Sequence, residues 1–436
     1  MRTVNDFTGC TDSERIENAL QEMEDGMLIL PRRVCNIEPE RDYWLIDRAI
    51  LLPENTTVLL KNCKIKLSDS CRDNFFRSAN CGLGVEDPRP MQNIHIHGEG
   101  LCILEGADHP RAVGDGSKIL SCPCPKKPED LIRLADWIDQ ERRMSGELYF
   151  DDMHSHSYGT DAGKEDESQY GDWRGIGILF ANVSDFSIEN LRIVDSHGWG
   201  ISLEACWRGR VSHIDFDACM AKEIDGMLQN MENQDGVDLR NGCHDIVISD
   251  ITGGTGDDLI ALTAIASPQY LPGGGLCNTH VMHSDWNRRE RDIHDIMIRN
   301  VSGYSKGGIC WIIRLLPAYA KIWNVVIDGV IDTSPPGFRA GGVLLMGEAD
   351  GAYGRNEPES MSDISVSNMI CNGQTAVTVN GYLQNSAFTN IINRNPDCAV
   401  IKVTRPGGFK NVVLNGIVTV GKEILQESDS PLQTQL

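Results

Sequence analysis

From about residue 180 onward, the sequence repeats one short unit: an alternating apolar segment, a polar turn with a glycine, and a second short apolar segment. Where no longer stretch intervenes, the unit recurs about every 23 to 25 residues, which is within the range of a solenoid coil. The first apolar segments of successive units are Asp185-Phe-Ser-Ile188, Val211-Ser-His-Ile214, Asp245-Ile-Val-Ile248, Asp295-Ile-Met-Ile298, Asn324-Val-Val-Ile327, Asp363-Ile-Ser-Val366 and Asn411-Val-Val-Leu414.

Short, numerous strands with almost no helical periodicity between them are typical of parallel coils that stack on one another. The sequence lacks the Leu-x-x-Leu-x-Leu pattern of a leucine-rich repeat. An antiparallel sandwich stays open as an alternative, although hairpin signals such as Asn-Gly are too few and wrongly placed for it. We therefore predict an all-β fold, a single-stranded parallel β-helix that occupies residues 1–436 as one domain.

Two regions depart from the repeat. The opening segment from Asp12 to Leu20 has apolar residues at helical spacing after an acidic or hydroxyl cap, which predicts an N-terminal helix covering the end of the solenoid. Residues 121–172 are first rich in proline, then charged, and then rich in Asp, His, Ser and Gly. We predict an insertion here, with a helix near residues 128–144, lying beside the solenoid or over its groove.

The chain carries a net charge of −23 over 436 residues. A nucleic acid requires a basic surface, so this balance argues against a nucleic-acid partner. The same charge would repel acidic polysaccharides unless a local basic pocket overrode it, and a neutral substrate fits better. No stretch approaches the ~18 apolar residues of a membrane span, and we expect no membrane partner.

The fifteen cysteines are scattered without the spacing of a small disulfide-linked domain. The N-terminus has no apolar signal core, so we expect a cytoplasmic protein with reduced cysteines, or else one from which a leader has been removed. Cys122 and Cys124 have no second pair at zinc spacing, and Asp152, His154 and His156 lie in a polar run of a kind that is usually solvated. We therefore predict no metal and no cofactor.

Superposing the second apolar segments of two successive coils predicts where the candidate catalytic residues lie. Asn233-Gln-Asp-Gly-Val-Asp-Leu239 lies over Gly256-Asp-Asp-Leu-Ile-Ala-Leu262 at an offset of 23 residues, which stacks Val237 and Leu239 on Ile260 and Leu262 as inward residues. Neighbouring coils are roughly 4.8 Å apart. The carboxylates predicted to converge are Asp235, Asp257 and Asp258.

Carboxylates this close raise one another's proton affinity, so at least one is expected to stay protonated near neutral pH. Glycoside hydrolysis requires such a pair, because one carboxyl group protonates the leaving oxygen while another deprotonates water. Asp-Gly and Gly-Asp pairs are also common turn residues, and for either motif alone that structural explanation stays open. The match between adjacent coils favours catalysis.

The two motifs resemble those of glycoside hydrolase family 28, the polygalacturonases, in which Asn-Thr-Asp-Gly is followed one coil later by Gly-Asp-Asp. Here they read Asn233-Gln234-Asp235-Gly236 and Gly256-Asp257-Asp258, with Gln234 in place of Thr. The resemblance is close over these motifs and loose over residues 180–420. It implies a right-handed, pectin-lyase-like β-helix and an inverting hydrolase. It also implies that Asp257 is the general acid, while Asp235 and Asp258 activate water.

Two further motifs of that family are missing. Its Gly-His-Gly motif should fall in Ser305-Lys-Gly-Gly-Ile-Cys-Trp311, which puts Gly307 at the place of the histidine. Its Arg-Ile-Lys motif, whose cations hold a uronate carboxylate, should fall where Leu344 and Met346 stand. A different register could restore one cation from Lys306, Arg314 or Arg339. We therefore expect a neutral sugar, with an acidic sugar as the alternative.

Other residues around the groove are candidates for binding substrate. Trp199 falls in the column of Asp235 and could stack on a sugar or pack in the solenoid. His197 and Arg240 each have a structural explanation that competes with binding, and His280 lies in a predicted loop that could replace the missing histidine. The predicted substrate-binding residues are Asn233, Trp199, His197, Arg240, Lys306, His280 and Arg314.

The sequence therefore predicts an exo-acting, inverting glycosidase whose partner is an oligosaccharide. A β-helix polysaccharide lyase stays open, since that chemistry uses a Lys or Arg base at a uronate, often with calcium. A non-catalytic carbohydrate-binding solenoid also stays open. Idle carboxylates that repel one another cost stability, which argues against the last.

Overall fold

A computed structural model of the chain describes residues 2–71, 73–82, 85, 88–109, 175–224, 227–231, 233–265, 288–307, 310–335, 342–347, 356–421 and 423–427. The predicted insertion at residues 121–172 lies outside the described residues. So do the candidate metal ligands Cys122, Cys124, Asp152, His154 and His156.

The described chain is almost entirely β-structure, with one α-helix, α1 (Asp12–Gln21), and short 3-10 turns at Val4–Asp6 and Arg288–Arg291. In chain order the strands are β1 (Met27–Pro31), β2 (Trp44–Ile46), β3 (Ile50–Leu52), β4 (Thr56–Lys61), β5 (Lys64–Leu67), β6 (Phe76–Ser78), β7 (Met91–Glu99), β8 (Ile103–Glu105), β9 (Ile178–Ala181), β10 (Val183–Val194), β11 (Ile201–Glu204), β12 (Trp207–Asp217), β13 (Ala221–Ile224), β14 (Met227–Asn230), β15 (Val237–Arg240), β16 (His244–Thr255), β17 (Ile260–Ile265), β18 (Ile293–Ser305), β19 (Ile313–Ala318), β20 (Ile322–Asp332), β21 (Leu344–Met346), β22 (Met361–Cys371), β23 (Val377–Val379), β24 (Leu383–Asn393), β25 (Ile401–Val403), β26 (Phe409–Asn415), β27 (Val418–Thr419) and β28 (Leu425–Glu427).

The chain divides into two units. The first comprises the described parts of residues 1–202 and 206–234, and the second those of 203–205, 235–276 and 284–436. In the first unit, parallel strands pair in three rows, β1-β4-β7-β10-β12, β2-β5-β8-β10 and β3-β6-β9. Strands β13 and β14 form a separate antiparallel pair.

The second unit consists of two rows of parallel strands, β16-β18-β20-β22-β24-β26 and β15-β17-β19-β21-β23-β25-β28. Each turn of chain adds one strand to each row. The predicted all-β, parallel β-helix fold is therefore confirmed, and the occupation of residues 1–436 by one domain stays a prediction.

The interior is formed by the recurring apolar positions of the sequence. Ile248 pairs with Ile298, and the column continues through Ile327, Val366 and Phe388, all of them fully buried. Each such side chain contributes about 1.5–3 kcal/mol to folding, which makes the stacked columns the main source of stability. The segments that predicted these coils were aligned correctly in the second unit.

One coil of the first unit has a different register from the predicted one. The sequence pattern equates Val211-Ser-His-Ile214 with Asp185-Phe-Ser-Ile188, but Ile188 pairs with Val211 and Leu191 pairs with Ile214. The prediction for this coil was therefore wrong by three residues. In this coil the left-handed position that Asp185 occupies is taken by Arg208, so the usual Asp or Asn does not mark the start of the segment. Val211 and Ile214 are both buried, and either could therefore be matched with Ile188 from the sequence.

The recurring Asp or Asn before each first segment has a backbone role. These residues adopt the left-handed conformation, with φ between 50° and 56° in the second unit, and they bend the long strands. Asn and Asp are the side-chain-bearing residues that tolerate this conformation best. Side chains also bond up the column, as where Asn411 Nδ2 donates to Asn385 Oδ1 at 2.9 Å. The left-handed column comprises Asp245, Asp295, Asn324, Asp363, Asn385 and Asn411.

The predicted N-terminal helix is confirmed as α1. The Thr11 side chain caps it by accepting a hydrogen bond from the Glu14 N–H at 3.2 Å. The helix packs near β2 and β3 of the first unit, with Ile16 buried on that face. Among the described residues, no helix has the length and apolar character needed to cross a membrane.

Candidate active site

The candidate site lies in the second unit, where β15, β17 and β19 begin. Val237 pairs with Ile260, and Leu239 with Leu262, so the predicted offset of 23 residues is confirmed. Ile260 pairs in turn with Ile313. Asp235 and Asp258 therefore precede equivalent positions of adjacent strands, and the Gly236 N–H donates to the Asp258 carbonyl at 2.9 Å.

Asp258 is held on both carboxylate oxygens. The Trp311 N–H donates to Oδ1 at 2.7 Å, and the Arg314 guanidinium lies 3.4 Å from Oδ2. The side chain is only 2% exposed. Burial raises the pKa of Asp258 to about 7; the Arg314 charge opposes this rise, and the Asp257 charge adds to it. Asp258 therefore changes its protonation near neutral pH.

Asp235 is buried, and its Oδ1 has no hydrogen-bond partner among the residues that the structure describes. Burial raises its pKa well above the ordinary value, and the charges of Asp257, Asp238 and Asp258 add to that effect. Burial and the neighbouring carboxylates therefore favour the protonated form of Asp235.

Asp257 is the half-buried member of the predicted triad. Its Oδ1 accepts the Asp258 N–H at 2.8 Å, and the Thr255 hydroxyl donates to its carbonyl at 2.7 Å. Carboxylate oxygens of Asp257 and Asp258 and the Cys310 sulfur all lie within 4.8 Å of one another. The structure thus brings the predicted carboxyl groups together and leaves Asp257 the most accessible.

Asp257, Asp258 and Cys310 are the described residues that could together hold a metal ion. Burial, followed by the charges of Asp257 and Asp258, raises the pKa of the Cys310 thiol well above its ordinary value, and the thiol hydrogen-bonds to Asp257. In the absence of a metal ion, Arg314 supplies positive charge at Asp258.

Asp238 is a fourth carboxyl group in the site, and it was not predicted. It lies between inward-facing Val237 and Leu239 on β15, yet it is only 1% exposed. Burial raises the pKa of Asp238 well above its ordinary value; Arg240 opposes this rise, whereas Asp258 and Asp257 add to it. The alternation Val-Asp-Leu-Arg could have revealed it, because a strand places its polar residues together on the other face.

Arg240 and Arg314 supply the positive charge of the site. Arg240 is 2% exposed and acts on Asp238, which agrees with the ion-pair explanation that the sequence left open. Asp238 pairs with Ala261, and Ala261 with Arg314, so Arg314 stands two coils from Asp238 in one row. Arg314 is thus the candidate cation that the structure places against the carboxyl groups.

The expected location of the missing cations was wrong. Leu344 and Met346 pair with Ile313 and Leu315, and all four side chains are fully buried. They therefore face the interior and could not contact a substrate. Leu345 is the residue that pairs with Arg314, and a single apolar segment without polar alternation gave no sign of which residues point inward.

Gly307 occupies a position that excludes any side chain. A Cβ there would lie 2.1 Å from the Gly256 carbonyl oxygen and 3.0 Å from the Cys310 sulfur. Lys306, its neighbour, donates its N–H to the Thr255 carbonyl at 2.7 Å and extends its side chain over Gly254. The close approach of the coils at Gly307 explains why no histidine stands here.

We expect Gly307→Ala to lower the free energy of unfolding by about 1–3 kcal/mol, because the methyl group would collide with backbone that cannot move independently. Urea denaturation measures this. Gly254→Ala is the matched control in the adjacent coil, since its Cβ would meet mainly the flexible end of Lys306. Equal effects of the two substitutions would contradict the steric explanation.

The predicted residues His197, Trp199 and Asn233 belong to the first unit. The Ala107 N–H donates to His197 Nε2 at 2.9 Å. Burial lowers the pKa of His197 to about 3, and the Lys222 charge adds to this effect. Trp199 packs, partly buried, against Cys81, Ile176, Leu179 and Ala181. His197 is therefore neutral and structurally engaged, and Trp199 has a packing role.

The motif position that departs from the family is also structurally engaged. Gln234 is 1% exposed; its side chain accepts the Met220 N–H at 3.1 Å and donates to the Ser196 carbonyl at 2.7 Å. Asn233 adopts a left-handed backbone conformation with φ 53°. The longer side chain of Gln thus fastens the segment before Asp235. Binding of substrate by Asn233 and Trp199 stays a prediction.

Some predicted residues lie outside the described part of the chain. These are His280 and Arg339.

Solved structures with the same fold include proteins of different kinds. The Streptococcus pneumoniae surface protein and adhesin PfbA has a TM-score of 0.51 at 11% identity, over 98% of this chain and 100% of that one. A tailspike protein of E. coli bacteriophage HK620 has a TM-score of 0.51 at 12% identity, over 95% of this chain and 63% of that one. These likenesses place the chain among the β-helix proteins.

An endo-xylogalacturonan hydrolase from Aspergillus tubingensis has a TM-score of 0.47 at 11% identity, over 97% of this chain and 93% of that one. No protein-family model and no curated protein matches the sequence.

Proposed function

We propose that the chain is a glycoside hydrolase that cleaves a neutral oligosaccharide, with inversion at the anomeric carbon and from one end of the sugar chain. The observation that carries the proposal is the cluster of Asp235, Asp257 and Asp258, in which burial and the neighbouring charges raise the pKa values of Asp235 and Asp258. A carboxyl group with a raised pKa can hold a proton near neutral pH while a neighbouring carboxylate accepts one.

Each carboxyl group has a role that fits its surroundings. Asp257 is the most accessible and is proposed to take a proton from the cluster and to pass it to the leaving glycosidic oxygen, in line with the resemblance to family 28. Asp258, whose pKa is about 7, ionises near neutral pH and is proposed to deprotonate the attacking water. Asp235, whose pKa is raised by burial, is proposed to stay protonated and to donate a hydrogen bond that orients that water.

The two buried cations support the same roles. Arg314 contacts Asp258 and favours its ionised form, which keeps the pKa of that buried carboxyl group low enough for a base at neutral pH. Arg240 acts likewise on Asp238. Asp238 is therefore a positioning residue in this proposal, because it lies beside Asp235 and adds to the effects that raise the pKa of Asp235.

A neutral substrate is proposed because the charge of Arg314 is already matched by carboxylates. Leu345 follows Arg314 in the row, where a second cation would be needed to hold a uronate. The net charge of −23 acts in the same direction. Action from one end of the sugar chain is proposed because the sequence has more residues between β17 and β18 than a coil of this repeat requires.

The test is anomer-resolved NMR of the products formed from a panel of neutral and uronic oligosaccharides. We expect the inverted anomer from a neutral member and much slower release of it by Asp257→Asn. The retained anomer would contradict the inverting mechanism. An unsaturated, ultraviolet-absorbing product that disappears on chelation would identify a lyase instead, and binding without turnover would identify a carbohydrate-binding protein.

A further inference from the structure

We propose that Trp311 is the platform on which one sugar ring of the substrate stacks, beside the bond that the carboxyl groups cleave. This inference rests on the proposed hydrolase function and names the residue that recognises the apolar face of the sugar. No role for Trp311 was predicted from the sequence.

The position of Trp311 is fixed relative to the cluster. Its N–H donates to Asp258 Oδ1 at 2.7 Å, and its carbonyl accepts the Leu259 N–H at 3.1 Å. Because Ile260 pairs with Ile313, Trp311 stands one coil beyond Asp258 in the column that begins at Asp235. The residue therefore adjoins the proposed base through its own backbone.

The indole ring of Trp311 occupies space that is free because residue 342 is a glycine. A Cβ on Gly342, in the next coil, would lie 2.3 Å from Trp311 Cζ3 and 3.0 Å from Cε3. Any other residue at position 342 would push the ring away. The ring thus lies against the Gly342 backbone, and Trp311 as a whole remains partly exposed.

A half-buried indole beside carboxyl groups matches the two kinds of surface that a sugar presents. The ring offers an apolar face to the C–H groups of a pyranose, while the carboxyl groups offer acceptors to its hydroxyls. An indole carries no charge and does not select for a uronate. Trp311 therefore suits the neutral oligosaccharide proposed above.

The test compares Trp311→Ala and Trp311→Phe with the unaltered protein, using the oligosaccharide of the panel that is cleaved fastest. We expect Trp311→Ala to raise KM about tenfold while kcat stays within about threefold, and Trp311→Phe to recover most of the loss. Trp323→Ala is the matched control, because Trp323 stacks on His294 at 4.4 Å, on the other row of strands. It should leave KM unchanged.

Three outcomes would overturn the inference. These are an unchanged KM in Trp311→Ala, an equal rise in Trp323→Ala, or a fall in kcat with a shifted pH profile, which would mean that Trp311 acts only by holding Asp258. Thermal unfolding shows whether Trp311→Ala is still folded. If it is not, the KM of Trp311→Phe is compared with that of the unaltered protein instead.

Failure of the platform is separable from failure of the hydrolase. If no panel member is cleaved, calorimetric titration of the same neutral oligosaccharides into the unaltered protein and Trp311→Ala still tests stacking. Tighter binding by the unaltered protein would support the platform although the proposed hydrolysis had failed. Cleavage with an unchanged KM in Trp311→Ala would retain the hydrolase and reject the platform.

Discussion

Asp257→Asn is expected to slow hydrolysis of an unactivated oligosaccharide by about 10³-fold, because an amide cannot supply the proton that the leaving oxygen requires. The measurement is kcat/KM for the panel substrate cleaved fastest. Asp397→Asn is the matched control in the second unit, since Asp397 is exposed on a turn. It should retain full activity.

A second substrate distinguishes the roles within the cluster. An aryl glycoside of the same sugar with a nitrophenolate leaving group needs little protonation, so Asp257→Asn should recover most of its activity on it. Asp258→Asn should stay slow on both substrates, because the attacking water would still lack its base. Recovery by Asp258→Asn and not by Asp257→Asn would exchange the two assignments.

Asp258→Asn is expected to raise the free energy of unfolding at pH 8 by a few kcal/mol. Its pKa is about 7 in the folded protein and about 3.9 in an unfolded chain. Between these values the folded state binds more protons, so stability falls as pH rises. Below the pKa that Asp258 has in the unfolded chain, its protonated carboxyl group contributes fully to the free energy of unfolding. This contribution is lost as the pH rises above 7.

Asparagine resembles the protonated carboxyl group at every pH, so urea denaturation from pH 4 to 8 should show a flatter dependence in Asp258→Asn. The folded pKa already includes the attraction of Arg314, and burial exceeds it. Asp397→Asn should follow the unaltered protein. A lower stability of Asp258→Asn at pH 8 would mean that the ion pair with Arg314 holds the fold together.

The sequence predicted those parts of the site that depend on strand alternation. Val237 and Leu239 alternate with polar residues, and Ile260 and Leu262 have the same spacing one coil later, so their register, and with it the approach of Asp235 to Asp258, followed from spacing alone. The same alternation holds for long strands of the second unit. Local pattern is therefore sufficient where one face of a strand is buried and the other is polar.

Prediction from the sequence failed where the polarity of a residue does not indicate whether its side chain is buried. Asp238 and Arg240 are as buried as core residues, although their residue types suggest exposure. The run around Leu344 is apolar on both faces, so it could not reveal which residues point inward. Trp311 gained its position from Gly342 in another coil, and no local pattern records such a pairing. These features depend on contacts between distant segments.

The left-handed column of the second unit recurs at very different spacings along the sequence, although the strands that follow it pair in the same way from coil to coil. Two successive members of this column, Asp245 and Asp295, are 50 residues apart, whereas Asp363 and Asn385 are 22 residues apart. The strands that contain them pair in register in both cases. One coil therefore carries 28 residues more than another without displacing its neighbours. Mutation can rebuild the walls of the groove by insertion and deletion while the carboxyl groups keep their places, so substrate range can evolve separately from the bond-breaking chemistry.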